Sequence, residues 1–179
     1  MNSNPATRRR LAMALLGLPC AFRAGASIGA ESQRSVSRAP MPSIDSELIV
    51  GDVPLLDGGT FHAADARGKV LVLYWWASWC PFCALQTPMM QALWDEHRHR
   101  GLMLLGISID ERPDDARRYL AQRRYSFPST FKTPAVQRLL PLPGKGLPVT
   151  VVRGRTGRTV LAEAGQLFPE DVARIDRFL

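Results

Sequence analysis

The chain has 179 residues, of which 23 are basic and 16 acidic, and its formal net charge at pH 7 is +7. This length suits one domain with appendages. Residues 1–26 contain four arginines and no acidic residue, so the rest of the chain carries only 19 basic against 16 acidic residues. This mild excess is spread along the sequence and forms no basic stripe interleaved with aromatic residues, which argues against a nucleic-acid partner.

The first 26 residues have the three-part order of a signal peptide. Arg8-Arg9-Arg10 is a positive cluster, Leu11 to Phe22 is apolar, and Ala24-Gly25-Ala26 offers the small residues of a cleavage site. An apolar stretch of about twelve residues is shorter than the roughly twenty that span a bilayer. We therefore expect a periplasmic or otherwise exported protein without a stable membrane anchor, and both the general and the twin-arginine export routes fit this leader.

Residues 27–47 are predicted to form a flexible leader, because Glu31 to Ser46 is rich in Ser, Arg and Pro and lacks hydrophobic periodicity. A single domain is expected over residues 48–179. It should open with a small hairpin in which Val53–Leu56 and Thr60–Phe61 flank a glycine turn.

The remainder of the domain alternates between apolar strands and helices. The runs Val70–Trp76 and Leu102–Ile109 are short, apolar and rich in β-branched or aromatic residues, which predicts buried strands. The other predicted elements are a helix at Ala84–Arg100, a helix at Pro113–Arg124, a short strand at Phe127–Lys132, a short helix at Pro134–Leu140, a hairpin of Val149–Val152 with Thr159–Leu161, and a closing helix at Pro169–Leu179. This order predicts an α/β fold with a central mixed sheet and helices on both faces.

Two cysteines, Cys80 and Cys83, stand between the first buried strand and the helix that follows it. Cys20 would leave with the signal peptide, so the exported chain would hold this pair alone, which suits a pair that cycles better than a disulfide-braced scaffold. A helix N-terminus stabilises a thiolate through its free N–H groups and its dipole. The thiolate is the form that attacks disulfides.

Zinc binding is the alternative role of the cysteine pair. Cys80 and Cys83 are followed by His97 and His99, which approaches the pattern of a zinc finger. Fingers, however, separate their histidines by about three to five residues, and residues two apart on a helix do not share a face. We therefore expect no metal site, and we expect both histidines on a solvated helix surface.

Four segments match known patterns. Gly68 to Cys83 matches a strand that leads into a redox-active motif, and Pro88 matches a proline that kinks the helix after that motif. Leu147-Pro148-Val149-Thr150 matches a cis-proline loop, and Arg112 to Lys132 matches an inserted helix and strand. With these segments the chain resembles, over residues 51–179, the thioredoxin superfamily and its exported TlpA/ResA-like thiol-disulfide oxidoreductases. The resemblance implies a thioredoxin-like fold with an N-terminal hairpin and one extra helix–strand insertion.

The resemblance also implies roles for the residues of the site. Cys80 is expected to be the exposed attacking thiolate, and Cys83, one turn deeper, the resolving thiol. Pro148, if cis, should pack beside the pair and leave nearby backbone free to bind an extended substrate. The residues expected to bind substrate or support the site are Trp79, Pro81, Phe82, Gln86, Leu147 and Pro148.

Two positions depart from the family pattern. Thioredoxins carry a buried aspartate where this chain has Tyr74, and ResA-like members often carry a glutamate where it has Gln86. Both carboxylates are associated with proton movement at the deeper cysteine, and this chain has neither. Asp110 and Glu163 are the distant carboxylates that could replace them.

The expected function is reduction or isomerisation of protein disulfides by the dithiol pair. The expected partners are protein disulfide or dithiol substrates and a membrane electron donor, and no cofactor is expected. The alternatives are an oxidant of protein thiols, a thiol peroxidase and a metal chaperone. A peroxidase would need a Thr/Ser-x-x-Cys pocket with an arginine, and Trp76-Ala77-Ser78-Trp79 does not supply that spacing to either cysteine.

Overall fold

The computed structural model describes residues 38–179, and the predicted signal peptide lies outside these residues. The strands of the described chain, numbered in chain order, are β1 (Arg38–Ala39), β2 (Val53–Pro54), β3 (Thr60–Phe61), β4 (Val70–Trp76), β5 (Leu102–Ser108), β6 (Ser129–Phe131), β7 (Leu142–Pro143), β8 (Val149–Arg153) and β9 (Thr159–Ala164). The α-helices are α1 (Pro81–His97), α2 (Pro113–Arg123), α3 (Pro134–Leu139) and α4 (Pro169–Ala173). Short 3₁₀ helices occupy Ala63–Ala66 and Arg174–Phe178.

A five-stranded mixed sheet with the order β6-β5-β4-β8-β9 forms the centre of the domain. Strand β4 pairs in parallel with β5 and antiparallel with β8, and every residue of β4 is buried. A continuous apolar run is what a central strand covered on both faces requires. The predicted α/β class, the mixed sheet, the late hairpin (β8 with β9) and the small N-terminal hairpin (β2 with β3) are confirmed.

All four α-helices of residues 38–179 begin with a proline at their first position. Proline suits this position because its fixed φ angle matches the helix and the N–H that it lacks would have no partner there. Helix α1 therefore begins at Pro81, three residues before the predicted Ala84. The predicted closing helix to Leu179 is wrong in its second half, because the α-helix ends at Ala173 and continues as a 3₁₀ helix.

Residues 38–47 differ from the flexible leader that the sequence suggested. Strand β1 pairs in parallel with β7, and the Gly144 N–H donates to the Ala39 carbonyl oxygen at 2.9 Å. Further along, the Asp45 N–H donates to the Thr159 carbonyl oxygen at 2.8 Å. Backbone hydrogen bonds hold this segment to the domain, and such bonds leave no periodic pattern in the side chains. The rest of the predicted leader, residues 27–37, lies outside the described residues.

Candidate active site

Cys80 and Cys83 meet at the first turn of α1, and both are free thiols. Cys80 is the N-cap residue, and its Sγ accepts a hydrogen bond from the Cys83 backbone N–H at 3.2 Å. A side-chain acceptor at this position satisfies one of the N–H groups that a helix start leaves free. The Cys80 sulfur therefore lies at the positive end of the helix dipole.

The two sulfurs differ in depth, although less than expected. Cys80 is 4% exposed and Cys83 is completely buried. The prediction of an exposed Cys80 is therefore wrong, because its side chain turns back over the helix end to meet the Cys83 N–H. The predicted order of access holds, since a small edge of Cys80 alone reaches the surface.

Burial raises the pKa of the Cys83 thiol well above its ordinary value, and its hydrogen bond with Cys80 raises this pKa further. Two groups act in the opposite direction and lower the pKa of Cys83: the Ala77 backbone and the Tyr74 hydroxyl. The deeper thiol is therefore a poor nucleophile until a neighbouring group favours its thiolate.

Tyr74 projects from β4 and is completely buried. Its Oη lies 2.9 Å from Thr87 Oγ1 and 3.4 Å from the Cys83 carbonyl oxygen. The Thr87 hydroxyl donates to the same carbonyl oxygen at 2.6 Å. A phenol and a threonine hydroxyl thus occupy the inner side of the deeper cysteine. The sequence pattern did not predict the contact between Tyr74 and Thr87, although the apolar run around Tyr74 did predict a buried side chain.

Gln86 lies one turn after Cys83 and is completely buried. Its Nε2 donates to Thr150 Oγ1 at 2.8 Å, and its Oε1 accepts from the Leu167 N–H at 2.7 Å. The amide therefore ties α1 to strand β8 and to the loop after β9. Within residues 38–179 it forms no hydrogen bond with either cysteine.

The peptide bond between Leu147 and Pro148 is cis, as the resemblance implied. Pro148 is buried and Leu147 is half-buried. The Pro148 carbonyl oxygen accepts from the Gly165 N–H at 2.8 Å. Because Gln86 binds Thr150, two residues after Pro148, the cis-proline loop is fastened to the active-site helix.

Three large apolar side chains lie exposed at the start of α1, and a fourth lies exposed at the start of α4. Trp79, Phe82, Leu85 and Phe168 are each more than half exposed, and we name this set the apolar rim. Phe82 separates the two cysteines, and Phe168 directly follows Leu167, the partner of Gln86. Exposed apolar groups concentrated at one site are typical of surfaces that bind other molecules.

Asp110 is a buried carboxylate at the base of the turn before Cys80. It accepts hydrogen bonds from the Ser78 N–H at 3.0 Å, the Ser78 hydroxyl at 2.6 Å and the Ser108 hydroxyl at 2.8 Å. Asp110 therefore anchors the Ala77–Cys80 turn and forms no hydrogen bond with Cys83. The second distant candidate, Glu163, is exposed on β9.

His97 is buried at the end of α1, so its predicted place on a solvated surface is wrong, whereas His99 is exposed. His97 Nε2 lies 2.8 Å from the Asp176 carboxylate, and His97 Nδ1 lies 3.2 Å from the Arg100 guanidinium. The histidine fastens α1 to the C-terminal 3₁₀ helix. Over residues 38–179, no cluster of three His, Cys, Asp or Glu side chains could hold a metal ion. No helix in that range combines the length and apolarity needed to cross a bilayer.

Comparison with curated proteins finds relatives of moderate identity. The chain is 29% identical to the thiol:disulfide interchange protein HelX of Rhodobacter capsulatus, over 73% of this chain and 69% of HelX. It is 34% identical to the thiol-disulfide oxidoreductase ResA of Oceanobacillus iheyensis, over 31% of this chain and 29% of ResA. It is 28% identical to Probable nucleoredoxin 1 of Arabidopsis thaliana, over 70% of this chain and 22% of that protein. The alignments with ResA and with nucleoredoxin 1 thus span less than a third of the length of each of these two relatives.

Solved structures agree on the fold. A thioredoxin-family thiol:disulfide interchange protein from Chlorobium tepidum TLS matches with a TM-score of 0.65 at 23% identity, over 78% of this chain and 95% of that one. A thiol-disulfide isomerase from Corynebacterium glutamicum also matches with a TM-score of 0.65, at 17% identity, over 75% of this chain and 96% of that one. The predicted thioredoxin-like fold is confirmed. Because the AhpC/TSA family model matches residues 44–141, over half of the chain, this protein belongs to the AhpC/TSA family.

Proposed function

We propose that the protein is an exported thiol-disulfide oxidoreductase that reduces or isomerises protein disulfides through Cys80 and Cys83. The observation that carries this proposal is the asymmetry of the pair. The Cys80 sulfur is the helix N-cap and accepts an N–H hydrogen bond, whereas burial raises the pKa of Cys83. One sulfur is thereby suited to attack first and the other to attack second. Relatives named thiol-disulfide oxidoreductase and interchange protein support the same chemistry.

The reaction proceeds in two exchanges. The Cys80 thiolate attacks a substrate disulfide, a bond forms between Cys80 and one substrate sulfur, and the other substrate sulfur leaves with the electron pair. Cys83 then attacks the Cys80 sulfur, the Cys80–Cys83 disulfide forms, and the second substrate sulfur leaves. The substrate gains two electrons and the pair loses two. A membrane electron donor would return the pair to its dithiol form.

The surface around Cys80 favours a polypeptide substrate. The apolar rim offers exposed aromatic and aliphatic side chains next to Cys80 in the chain and on the first turns of α1. The Leu147 residue precedes strand β8 and takes no part in its ladder. An extended segment with apolar residues beside its cysteine could therefore contact the rim and pair with this backbone.

The residues between the cysteines favour a reductant over a strong oxidant. Pro81 has no N–H and Phe82 has no polar side-chain group, so neither side chain can donate to the Cys80 sulfur. A strong oxidant needs a reduced form that is well stabilised. We expect a reduction potential nearer about −270 mV, as in thioredoxin, than about −120 mV, as in DsbA. Equilibration with a glutathione or dithiothreitol series measures it, and a value more oxidising than about −180 mV would favour the oxidant.

Trapping of substrates tests the roles of the two sulfurs. Cys83→Ser should accumulate mixed disulfides with exported proteins, visible on non-reducing gels and removed by dithiothreitol. Cys80→Ser should abolish both trapping and disulfide reduction, and serves as the matched control. Trapping by Cys80→Ser but not by Cys83→Ser would reverse the assignment. Peroxide consumption by the wild type would favour the peroxidase, and copper or zinc retained after purification under reducing conditions would favour the metal chaperone.

Export rests on residues 1–26 of the sequence. N-terminal sequencing of the exported protein should give a mature chain that begins near Ser27, or near Glu31 if cleavage follows Ala30. An intact Met1 in the membrane fraction would contradict this proposal.

A further inference from the structure

The buried Cys83 thiol must lose its proton before it can attack, because the thiolate is the nucleophile. Burial opposes that loss and raises the pKa of Cys83. Among the described residues, no carboxylate forms a hydrogen bond with either cysteine. Asp110 is bonded to Ser78 and Ser108, and the Gln86 amide is directed to Thr150 and Leu167. Another group has to favour the Cys83 thiolate.

The Tyr74 hydroxyl is placed to do so. Its ring is held inside the core, edge-on to Phe127 with 6.4 Å between ring centroids. The phenolic oxygen lies 3.4 Å from the Cys83 carbonyl oxygen and 2.9 Å from Thr87 Oγ1. The Thr87 hydroxyl is itself fixed by the bond to the Cys83 carbonyl. The phenol is therefore confined beside the residue whose sulfur must ionise.

The phenol can act as a donor and cannot act as a base. Burial raises the pKa of Tyr74 well above its ordinary value, so the hydroxyl keeps its proton at neutral pH. While Cys83 is a thiol, the Tyr74 hydrogen can point to Thr87 Oγ1. When Cys83 ionises, the sulfur becomes the better acceptor, because hydrogen bonds to charged groups are the stronger ones.

We propose that Tyr74 is a catalytic residue of the second exchange: its hydroxyl donates a hydrogen bond to the Cys83 sulfur as the thiolate forms, and Thr87 positions that hydroxyl. This inference rests on the proposed function. In the step, the Cys80–Cys83 bond forms as the bond between Cys80 and the substrate breaks. The departing substrate sulfur carries the electron pair and takes up the proton that Cys83 lost, and Tyr74 keeps its own proton. The lowering of the Cys83 pKa by Tyr74 agrees with this role.

Other titratable groups act on the same sulfur. Cys80 faces it from the helix start and raises its pKa, which identifies the mixed disulfide, in which Cys80 is uncharged, as the easier state for ionisation. Burial and Tyr125 raise the pKa of Tyr119, from α2, whereas a hydrogen bond with Thr87 lowers it and Cys83 raises it. Burial raises and Arg123 lowers the pKa of Tyr125, and Cys83 is not among the groups that act on it. Tyr125→Phe is therefore a matched control for the loss of a tyrosine hydroxyl.

An aromatic disulfide that releases a coloured thiolate, dithiobis(nitrobenzoate), separates the two exchanges in one stopped-flow experiment. Mixed with an equal amount of reduced protein, it releases one nitrothiophenolate when Cys80 attacks and a second when Cys83 resolves the mixed disulfide. Cys83→Ser should release only the first and so assigns the two phases. If the wild type shows no rapid first phase, the proposed function itself fails.

Tyr74→Phe keeps the ring and removes only the hydroxyl. We expect the first phase to stay within about twofold of the wild type and the second to slow about tenfold, the effect of one pKa unit on a thiolate population. The logarithm of the second rate, plotted against pH, should be displaced in parallel towards higher pH. The equilibrium with glutathione at pH 7 should stay unchanged, because Cys83 is protonated in the reduced pair.

Two further variants complete the test. Thr87→Val should slow the second phase and Thr87→Ser should restore it, whereas Tyr125→Phe should leave both phases unchanged. A second phase within twofold of the wild type in Tyr74→Phe, or equal slowing of both phases, would overturn the inference. If Tyr74→Phe does not fold, as judged by urea unfolding, the Thr87 pair decides: Thr87→Val with an unchanged second phase refutes the inference.

Discussion

Removal of the Asp110 carboxylate should weaken the domain through the turn that carries Cys80. The carboxylate is buried and accepts from the Ser78 N–H, the Ser78 hydroxyl and the Ser108 hydroxyl. Hydrogen bonds to a charged group contribute about 1.5–3 kcal/mol each, and a buried donor left without a partner costs about 1–3 kcal/mol. The cost of burying the carboxylate, several kcal/mol by a rough figure, disappears with it and offsets part of the loss.

The net loss follows from which donors are stranded in Asp110→Ala. The Ser78 hydroxyl is partly exposed and can turn to water, but the Ser78 N–H is fixed by the backbone and Ser108 is buried. Two stranded donors give a loss of about 3 kcal/mol in the free energy of unfolding. Asp110→Asn keeps one acceptor oxygen and should lose about half as much, roughly 1.5 kcal/mol.

Urea unfolding of the domain measures this difference, with the stability taken from the midpoint and the slope. At about 2–4 °C per kcal/mol for a domain of this size, Asp110→Ala should also melt roughly 6–12 °C lower. Asp95→Ala, at an exposed position on α1, is the matched control and should stay within about 0.5 kcal/mol. A loss below about 1 kcal/mol in Asp110→Ala would refute the anchoring role.

Three further outcomes are expected. In the reduced protein, iodoacetamide should alkylate Cys80 well before Cys83, because Cys83 is completely buried and burial raises its pKa. Mass spectrometry of timed samples measures both alkylation rates, and faster alkylation of Cys83 would show that the order is wrong. Gln86→Glu should lose stability relative to the wild type as pH rises above about 4.3, because a buried carboxyl has a raised pKa and the glutamate of the unfolded chain ionises first. If the urea midpoint of Gln86→Glu differs from that of the wild type by the same amount at about pH 4 and about pH 8, this prediction is wrong. The Asp52 carboxylate raises the pKa of His62 through a 3.0 Å hydrogen bond, so Asp52→Asn should lower the His62 pKa in an NMR titration, and an unchanged pKa would exclude the pair in solution. The pair favours the folded state while His62 is charged, and this contribution fades as pH rises through the raised His62 pKa.

Local patterns predicted most of the framework. The apolar run that became β4, the cysteine pair at a helix start and the glycine turn of the first hairpin are each set by neighbouring residues, and all three are confirmed. The cis bond before Pro148 followed from the resemblance and is also confirmed.

The polar contacts of the site could not be predicted in this way. Gln86 binds Leu167 across 81 residues of sequence, and His97 reaches Asp176 in the last helical turn. Such pairs form because buried polar groups must find partners in the folded chain, and the hydrophobic periodicity of neighbouring residues does not predict them. For the same reason the charged run around His97 was misleading, and the depth of Cys80 was underestimated.

The position of β4 in the sheet has a consequence for how the chain folds. One edge of β4 is completed early along the chain, since Val70 pairs with Leu102, but the other edge needs Arg153 as the partner of Leu71. Contacts between residues far apart in sequence close large loops and therefore form slowly. We expect the β4-α1-β5 unit to assemble before β8 arrives. Until then, one edge of the fully buried strand β4 stays unpaired beside two free thiols, which makes the new chain most vulnerable to aggregation and to wrong cross-links before its last third is in place.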